Sequence, residues 1–496
     1  MGQRATRTGI VCTIGPASRA RATLAGMIEA GMNVARLNFA HGDLEEHGAA
    51  IADIRAAARA SGRRVAILAD LSGPKLRIGD LAEQPVELER GQTFTLAIGD
   101  FTGDATRAST TFDRLPQAVK PGDTIFLNDG LVQLVVETVS DHAVACEVAV
   151  GGTLLSHKGI KIPDVDLGIS TFTERDRACL EFALEHGVDA ISQSFVRTAD
   201  DVRAVRDAVR AAGRDALIFA KIERSHALER IDEILAAADG IMVARGDLGV
   251  EIPIERIAIA QKELIAKANR LAKPAITATQ MLLSMVESRR PTRAEVTDVT
   301  NAILDGIDCV MLSEESAVGG HPALAVRMLR RIAQVSEPHE APRLQPEPER
   351  ADPAVDSQEL VAASVADMAL RIRPVGIVVP TDTGDMARQI AGFRLPVRIT
   401  AVSRLEATCQ RLQFVYGVDP VHQPDRPRSW RAFARDRFRD RAGGQPGGAS
   451  RARTPAPSRA ISLSPPWSGA VCLHDRGFGS PRPIDGAHAA PPTGAF

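Results

Sequence analysis

Aromatic side chains are scarce in this 496-residue chain, at 4% with a single tyrosine. That argues against a platform for stacking nucleic-acid bases. An excess of one charge is also missing. Lys and Arg number 60 against 62 Asp and Glu, a net charge of −2. No global field therefore draws the protein to nucleic acid or to an anionic membrane, and neither is expected as a partner. No apolar run approaches the roughly 18 residues of a membrane-spanning helix. The first residues carry charge but no long apolar core before Gly15-Pro16, so no secretory leader is expected. Six cysteines (Cys12, Cys146, Cys179, Cys309, Cys409 and Cys472) are scattered without a CxxC pair. They read as reduced thiols of a cytoplasmic protein, not as a disulfide frame or a zinc site.

What is present is material for a large core. Hydrophobic residues make up 44% and charged residues 25%, as in ordinary globular proteins, and the length predicts roughly three domains. Apolar, β-branched segments recur eight times, at 9–14, 33–37, 65–70, 188–195, 216–221, 240–244, 274–278 and 307–313. A helical pattern follows nearly every one, with Ser18, Asp43 and Thr173 as expected N-caps and Thr292 with Glu295 as a capping box. Near-continuous apolar strands alternating with helices predict an α/β protein built on a (β/α)8 TIM barrel, spanning 1–73 and 166–340.

Two intervals break the rhythm. Residues 74–165 contain alternating, turn-punctuated segments such as VELERGQTFTLAI and AVACEVAVGG, which predict an all-β lid domain inserted after the third strand. The Pro-rich stretch 337–353 reads as a linker, and 354–420 as an incomplete C-terminal α/β domain. From residue 421 onward the chain has twelve Arg against five Asp, no Lys or Glu, eleven Pro and nine Gly. This net charge of about +7 without a sustained period predicts a disordered tail, with translation in a shifted frame of a GC-rich gene as an origin for it.

Strand C-termini build the active site of such a barrel. Here they present Arg36 and Asn38, then Asp70, Lys221 with Glu223, Gly246 with Asp247, Thr279, and Ser313 with Glu314 and Glu315. Two carboxylates at strand ends, Glu223 and Asp247, suit a hard divalent cation that shares its shell with substrate oxygens. Arg36, Arg77 and Lys221 suit phosphate or carboxylate. Taken singly, each has a plainer reading: Arg36 as an ion pair, RGD as a tight turn, His41 as a loop histidine. Their convergence on one rim points to phosphoryl transfer, which depends on positioning and charge neutralisation.

The segments TGIVCTIGPAS, MNVARLNFAHG, DLSGPKLRIG, HKGIKIPD, SFVR, KIE, IMVARGDLGVE, TATQML, RPTRAEVTDVTNAILDG and MLSEESAVGGHP occur in this order. Together they resemble the pyruvate kinase family over roughly residues 6–420. The resemblance implies transfer of the phosphoryl group of phosphoenolpyruvate to ADP, giving pyruvate and ATP, in the cytoplasm and in a homotetramer. It implies Lys221 as the catalytic lysine, Glu223 and Asp247 as Mg²⁺ ligands with Mn²⁺ as the alternative ion, and Arg36 on the substrate phosphate. Gly246 and Thr279 match substrate contacts, with Thr279 near the face where the enol is protonated. His41, Arg77 and Lys158 match nucleotide contacts. The family's monovalent-cation site is altered: Asn38 and Asp70 remain, Ala40 replaces a serine, and Lys75 stands where K⁺-dependent members carry a glutamate. K⁺ is therefore not expected to be required, with Lys75 as an internal cation. Two rivals stay open at this stage: a phosphoenolpyruvate-handling lyase or aldolase, which needs no nucleotide, and a C-terminally damaged product with little or no activity.

Overall fold

Eight parallel strands close into a barrel: Gly9–Thr13, Val34–Asn38, Ala66–Leu71, Ala190–Gln193, Leu217–Ile222, Gly240–Ala244, Ala275–Ala278 and Cys309–Leu312. They are called barrel strands one to eight below. Each lies within the segment that its apolar run predicts or overruns it by one residue. The computed structural model describes residues 6–163, 165, 168–343, 357–439, 460–464 and 469–473. Strand one pairs with strand eight (Gly9 with Cys309) and with strand two (Val11 with Val34), which completes the closure. The interior is filled by Val11, Leu68, Phe219, Met242, Ile276 and Met311. Gly240 is required here, because a Cβ at that position would lie 2.5 Å from the Phe219 ring.

Helix starts follow local chemistry. Asp43 accepts from the Glu46 amide, and Thr173 and Thr292 form capping boxes with Asp176 and Glu295. Ser18 is a correction. The first helix runs Arg21–Ala30 with Ala20 as its N-cap, and the Ser18 hydroxyl instead accepts from the Gly15 amide at 3.0 Å.

A repeated device braces the N-terminal end of the barrel. Asp189, Asp239 and Asp308 each precede an even-numbered strand. Their carboxylates accept from the amides of Ile67, Ile218 and Ala275 on neighbouring strands, at 2.7, 2.8 and 3.0 Å. Each also meets an arginine, from Arg55, Arg206 and Arg394 respectively.

Between barrel strand three and the helix Glu174–Glu185 lies the β lid. Its six-stranded sheet runs in the order 160–161, 124–127, 132–139, 143–150, 93–98, 107–110. Phe94, Leu96, Leu134, Val144 and Val148 alternate into a core of its own, as half-buried strands require.

The C-terminal unit carries two corrections. Residues 337–343 are not a free linker. Glu337 accepts from the amides of Arg7 and Thr8, both at 2.8 Å, and Glu340 bonds the Tyr416 hydroxyl. The rest of the predicted linker, 344–353, lies outside the described residues. Nor does regular structure stop at residue 420. Strand Val418–His422 joins Ile399–Ser403, Gly376–Pro380, Ala460–Ser464 and Gly469–Leu473 in one sheet, parallel except for the last pair. A helix spans Trp430–Phe438 with Ser429 as its cap. Averaged composition hid these pieces. Trp430, Phe433, Ala434 and Phe438 sit at the spacing of an amphipathic face, and Ala434 and Phe438 are buried against Val378 and Val402. The disordered-tail and frame-shift expectations for 440–459, 465–468 and 474–496 fall outside the described residues.

Gly376 leaves room for Phe438, whose ring would lie 2.4 Å from a Cβ there. Phe438→Ala should therefore open a cavity and destabilise the C-terminal unit by about 3–5 kcal/mol. Denaturant unfolding of the full chain checks this; an unchanged midpoint would place Phe438 outside the packed structure.

Candidate active site

The C-terminal ends of the barrel strands and the underside of the lid enclose a cavity of about 430 Å³. Arg36, Asn38, His41, Lys75, Arg77, Lys158, Lys221, Glu223 and Asp247 all line it. Nine predicted positions, spread from residue 36 to residue 247, thus face one space. Asp70 lies beneath this wall, 1% exposed. Gly246 and Thr279 lie beside Asp247, joined by a 2.7 Å bond from the Gly246 amide to Thr279 Oγ1.

At the centre is the Lys221 ammonium, on barrel strand five. It donates to Ser194 Oγ at 2.6 Å and lies 3.4 Å from Glu223 Oε2 and 3.6 Å from Asp70 Oδ1. Burial works against this charge, but Asp70 and Glu223 outweigh it and hold the lysine pKa above its ordinary value. Asp70 also takes a hydrogen bond from Ser192 Oγ at 2.6 Å and from Arg36 Nε at 2.9 Å. Burial opposes its charge too, and Lys221 and Arg36 prevail, lowering its pKa. Arg36 is oriented further by donation to Thr13 Oγ1 at 2.8 Å.

The two carboxylates expected to hold a cation behave differently. Glu223 is 2% exposed, and burial, opposed by Lys221 and reinforced by Asp247, pushes its pKa up to about 7. Its Oε1 accepts from the Phe195 amide at 2.7 Å, while its buried Oε2 has no hydrogen-bond partner among the described residues. A buried carboxylate oxygen with an ion pair to Lys221 but no hydrogen bond keeps capacity for a cation. For Asp247, burial raises the pKa, but Lys161 and Lys221 outweigh it and hold the carboxylate below its usual range. Among the described residues no three His, Cys, Asp or Glu side chains converge as a metal cage. Two carboxylates and substrate oxygens are the pattern of Mg²⁺, which keeps part of its shell for phosphate and water.

Several backbone outliers sit at or beside the site, His157 (φ +61°) and Gln280 (φ +54°) among them. Phe195, which serves Glu223, has φ +59°, and Thr279 has φ +69°. Non-glycine residues there are strained, and such strain gathers at functional sites. Arg245 holds Thr279 in place, donating to the carbonyls of Ala278 (3.3 Å) and Thr279 (2.8 Å) and to Asp298 (2.6 Å). The arginine of RGD is thus a brace, and the PTRAEVTDV segment supplies its anchor. Glu315 is likewise structural: its two oxygens accept from the amides of Leu282 and Ser313.

The wall is rich in cations. Around Lys75 stand Arg77, Lys221 and Arg175, and burial first and these charges next lower its pKa to about 8. The His41 imidazole is also pushed down, by burial and then by Lys75, Arg77 and Arg36. Such an excess suits a ligand with several phosphate charges.

Comparison with known proteins agrees with this architecture. The family model for the pyruvate kinase barrel domain matches residues 5–326, and the model for the pyruvate kinase alpha/beta domain matches 359–438. The chain belongs to the pyruvate kinase family. It is 48% identical to the pyruvate kinase of Thermococcus litoralis, over 84% of this chain and 88% of that one. With the pyruvate kinase of Geobacillus stearothermophilus it shares 45% identity, over 84% of this chain and 72% of the relative. A crystal structure of a pyruvate kinase from Cryptosporidium parvum superposes with a TM-score of 0.85 at 33% identity, covering 95% and 96% of the two chains. Membership in the pyruvate kinase family makes the protein a phosphotransferase. The alpha/beta match also carries the likeness past residue 420, as far as residue 438.

Sequence reasoning missed Lys161, Ser192 and Ser194. Ser194 and Lys161 lie inside segments that carry the resemblance, SFVR and HKGIKIPD, but no single-residue signal marks them. Their importance comes from contacts across the fold. Asp70→Asn should let burial depress the Lys221 pKa from its raised value. Titration of ¹³C-methylated lysines by NMR reads this as a downward shift; an unmoved Lys221 resonance would remove Asp70 from its support.

Proposed function

We propose that this chain transfers the phosphoryl group of phosphoenolpyruvate to ADP, forming ATP and pyruvate. The observation that carries this reading is the buried Lys221 ammonium held between Asp70 and Glu223 at the mouth of the barrel, beneath a cation-lined lid. In this reaction the bond from phosphorus to the enol oxygen breaks, and a bond to a terminal ADP oxygen forms. The enolate then takes a proton to become pyruvate.

Each group has a task in that sequence. Arg36, fixed by Asp70 and Thr13, holds the substrate phosphate. Lys221 stabilises the charge that develops on the transferring group and on the enolate oxygen, an electrostatic contribution that is often the largest single one. Gly246 and Thr279 seat the substrate beside the carboxylates, with Thr279 at the protonation face. His41, Arg77 and Lys158 take the nucleotide. Arg77 is anchored by donation to the His157 carbonyl at 2.9 Å, and Lys158 comes from the lid. Glu223 and Asp247 would hold Mg²⁺, or Mn²⁺ in its place, which supplies positive charge to substrate oxygens. A lyase or aldolase has no use for lid cations such as Lys158, so kinase chemistry is favoured.

Lys221→Met should lower pyruvate formation by at least 10²–10³-fold with the fold intact. A coupled pyruvate assay with circular dichroism as the control measures it, and a folded variant at near wild-type rate would exclude Lys221 from the mechanism.

The reading extends to the monovalent ion. Lys75 lines the cavity, and its ammonium would stand in for the ion that K⁺-dependent relatives recruit. The oxygens left from an ion site are engaged: Asn38 Oδ1 accepts from the Ala40 amide at 3.1 Å, and Asp70 serves Arg36 and Ser192. The reaction should run in tetramethylammonium buffer without K⁺, and KCl at constant ionic strength should raise the rate by less than about tenfold (~1.4 kcal/mol). Because the free Lys75 ammonium has a pKa of about 8, its charge is present below that pH and lost above it. K⁺-free kcat/KM, which reports the free enzyme, should therefore fall as pH rises through about 8. Lys75→Arg, whose guanidinium does not titrate in this range, should remove that limb. A limb that persists in the arginine variant would assign it to another group.

A further inference from the structure

Lys161 joins the lid to the barrel at a position that matters for the cation. It lies on the lid strand Ile160–Lys161, paired with Phe126 on the strand Thr124–Leu127. Its side chain lines the cavity, and Nζ lies 2.7 Å from Asp247 Oδ1, with the lysine side chain 16% exposed. Other links between lid and barrel are of a different kind. Arg224, for example, donates to the Ile162 carbonyl at 3.3 Å and to Glu251 at 3.1 Å, and involves neither Glu223 nor Asp247. The Lys161 pair ends on a carboxylate that the proposed reaction needs for a divalent ion.

Electrostatics makes these two uses of Asp247 compete. An ammonium at hydrogen-bond distance occupies one carboxylate oxygen and repels a second cation approaching the same group. Lys221 cannot exchange roles with Lys161, because it is held from three sides by Ser194, Asp70 and Glu223. Lys161 has Asp247 as its ion-pair partner and sits on a two-residue strand at the edge of the lid sheet, a support that can move with the lid.

We propose that Lys161 is a lid-borne latch that competes with the divalent cation for Asp247, so that loading the cation undoes an ion pair between lid and barrel. This rests on the reading of Glu223 and Asp247 as the cation ligands. It goes beyond that reading by tying cation occupancy to the seat of the lid.

The test titrates Mn²⁺ into the full chain without substrate, with free Mn²⁺ followed by electron paramagnetic resonance. Lys161→Met should bind Mn²⁺ about fivefold more tightly than the wild type, the factor that loss of a partly exposed competing pair supplies. Amide exchange at residues 160–162 should quicken when Mn²⁺ is added to the wild type and stay unchanged on addition to the variant. Glu223→Gln should weaken Mn²⁺ binding in both backgrounds. If Glu223→Gln weakens binding but Lys161→Met binds Mn²⁺ equally or less tightly, the latch is overturned while the cation site stands. If Glu223→Gln changes nothing, the cation site itself is wrong and the latch falls with it. Lys161→Gln replaces the methionine variant should that one fail to fold.

Discussion

A buried ammonium needs compensation from every side, and Lys221 sets that requirement for the whole mouth of the barrel. Burying an isolated charge is far more costly than a fold of marginal stability can bear. Asp70 on barrel strand three and Glu223, just past the end of strand five, provide the opposing charge, and Ser194 takes a hydrogen bond. Asp70 in turn engages Arg36 from strand two and Ser192 from strand four. Four adjacent strands are thereby held in register by one charge network. In the proposed reaction this network would face the enolate and the transferring phosphoryl group, so the groups that stabilise the folded mouth would also stabilise developing charge.

Much of this was legible in the chain. The eight strands are nearly continuous apolar runs, because both faces of a parallel barrel strand are covered. The lid is legible for the opposite reason, since its strands alternate and bury one face only. Strand ends carried the site, as the barrel geometry dictates. What stayed hidden were relations between distant segments. Nothing local to HKGIKIPD says that Lys161, and not only Lys158, turns toward the barrel. Glu315 looks like a site carboxylate at a strand end until its two oxygens are seen serving backbone amides.

The C-terminal region shows the other limit. An arginine-, proline- and glycine-rich composition concealed a short helix with Trp430, Phe433, Ala434 and Phe438 on one face. Composition is an average over dozens of residues, whereas packing is decided by three or four contacts. The segment at 337–343 failed in the same way. Its prolines and charges read as a linker, yet Glu337 and Glu340 are buried because Arg7, Tyr416 and Arg394 surround them.

The three aspartates at the N-terminal end of the barrel do not have equivalent partners. Arg55 and Arg206 come from the helices that wrap the barrel, but Arg394 comes from the C-terminal unit, and Phe414 of that unit packs on Phe219 with ring centroids 5.0 Å apart. The floor of the barrel is thus shared masonry. Strand eight, which begins beside Asp308, is four residues long, about 13 Å, and ends at the Ser313–Glu315 turn. A tilt of the C-terminal unit would bear on that strand as on a short rod with its far end at the catalytic rim. One uninterrupted strand, Cys309–Leu312, is all that separates the Asp308 brace from the rim.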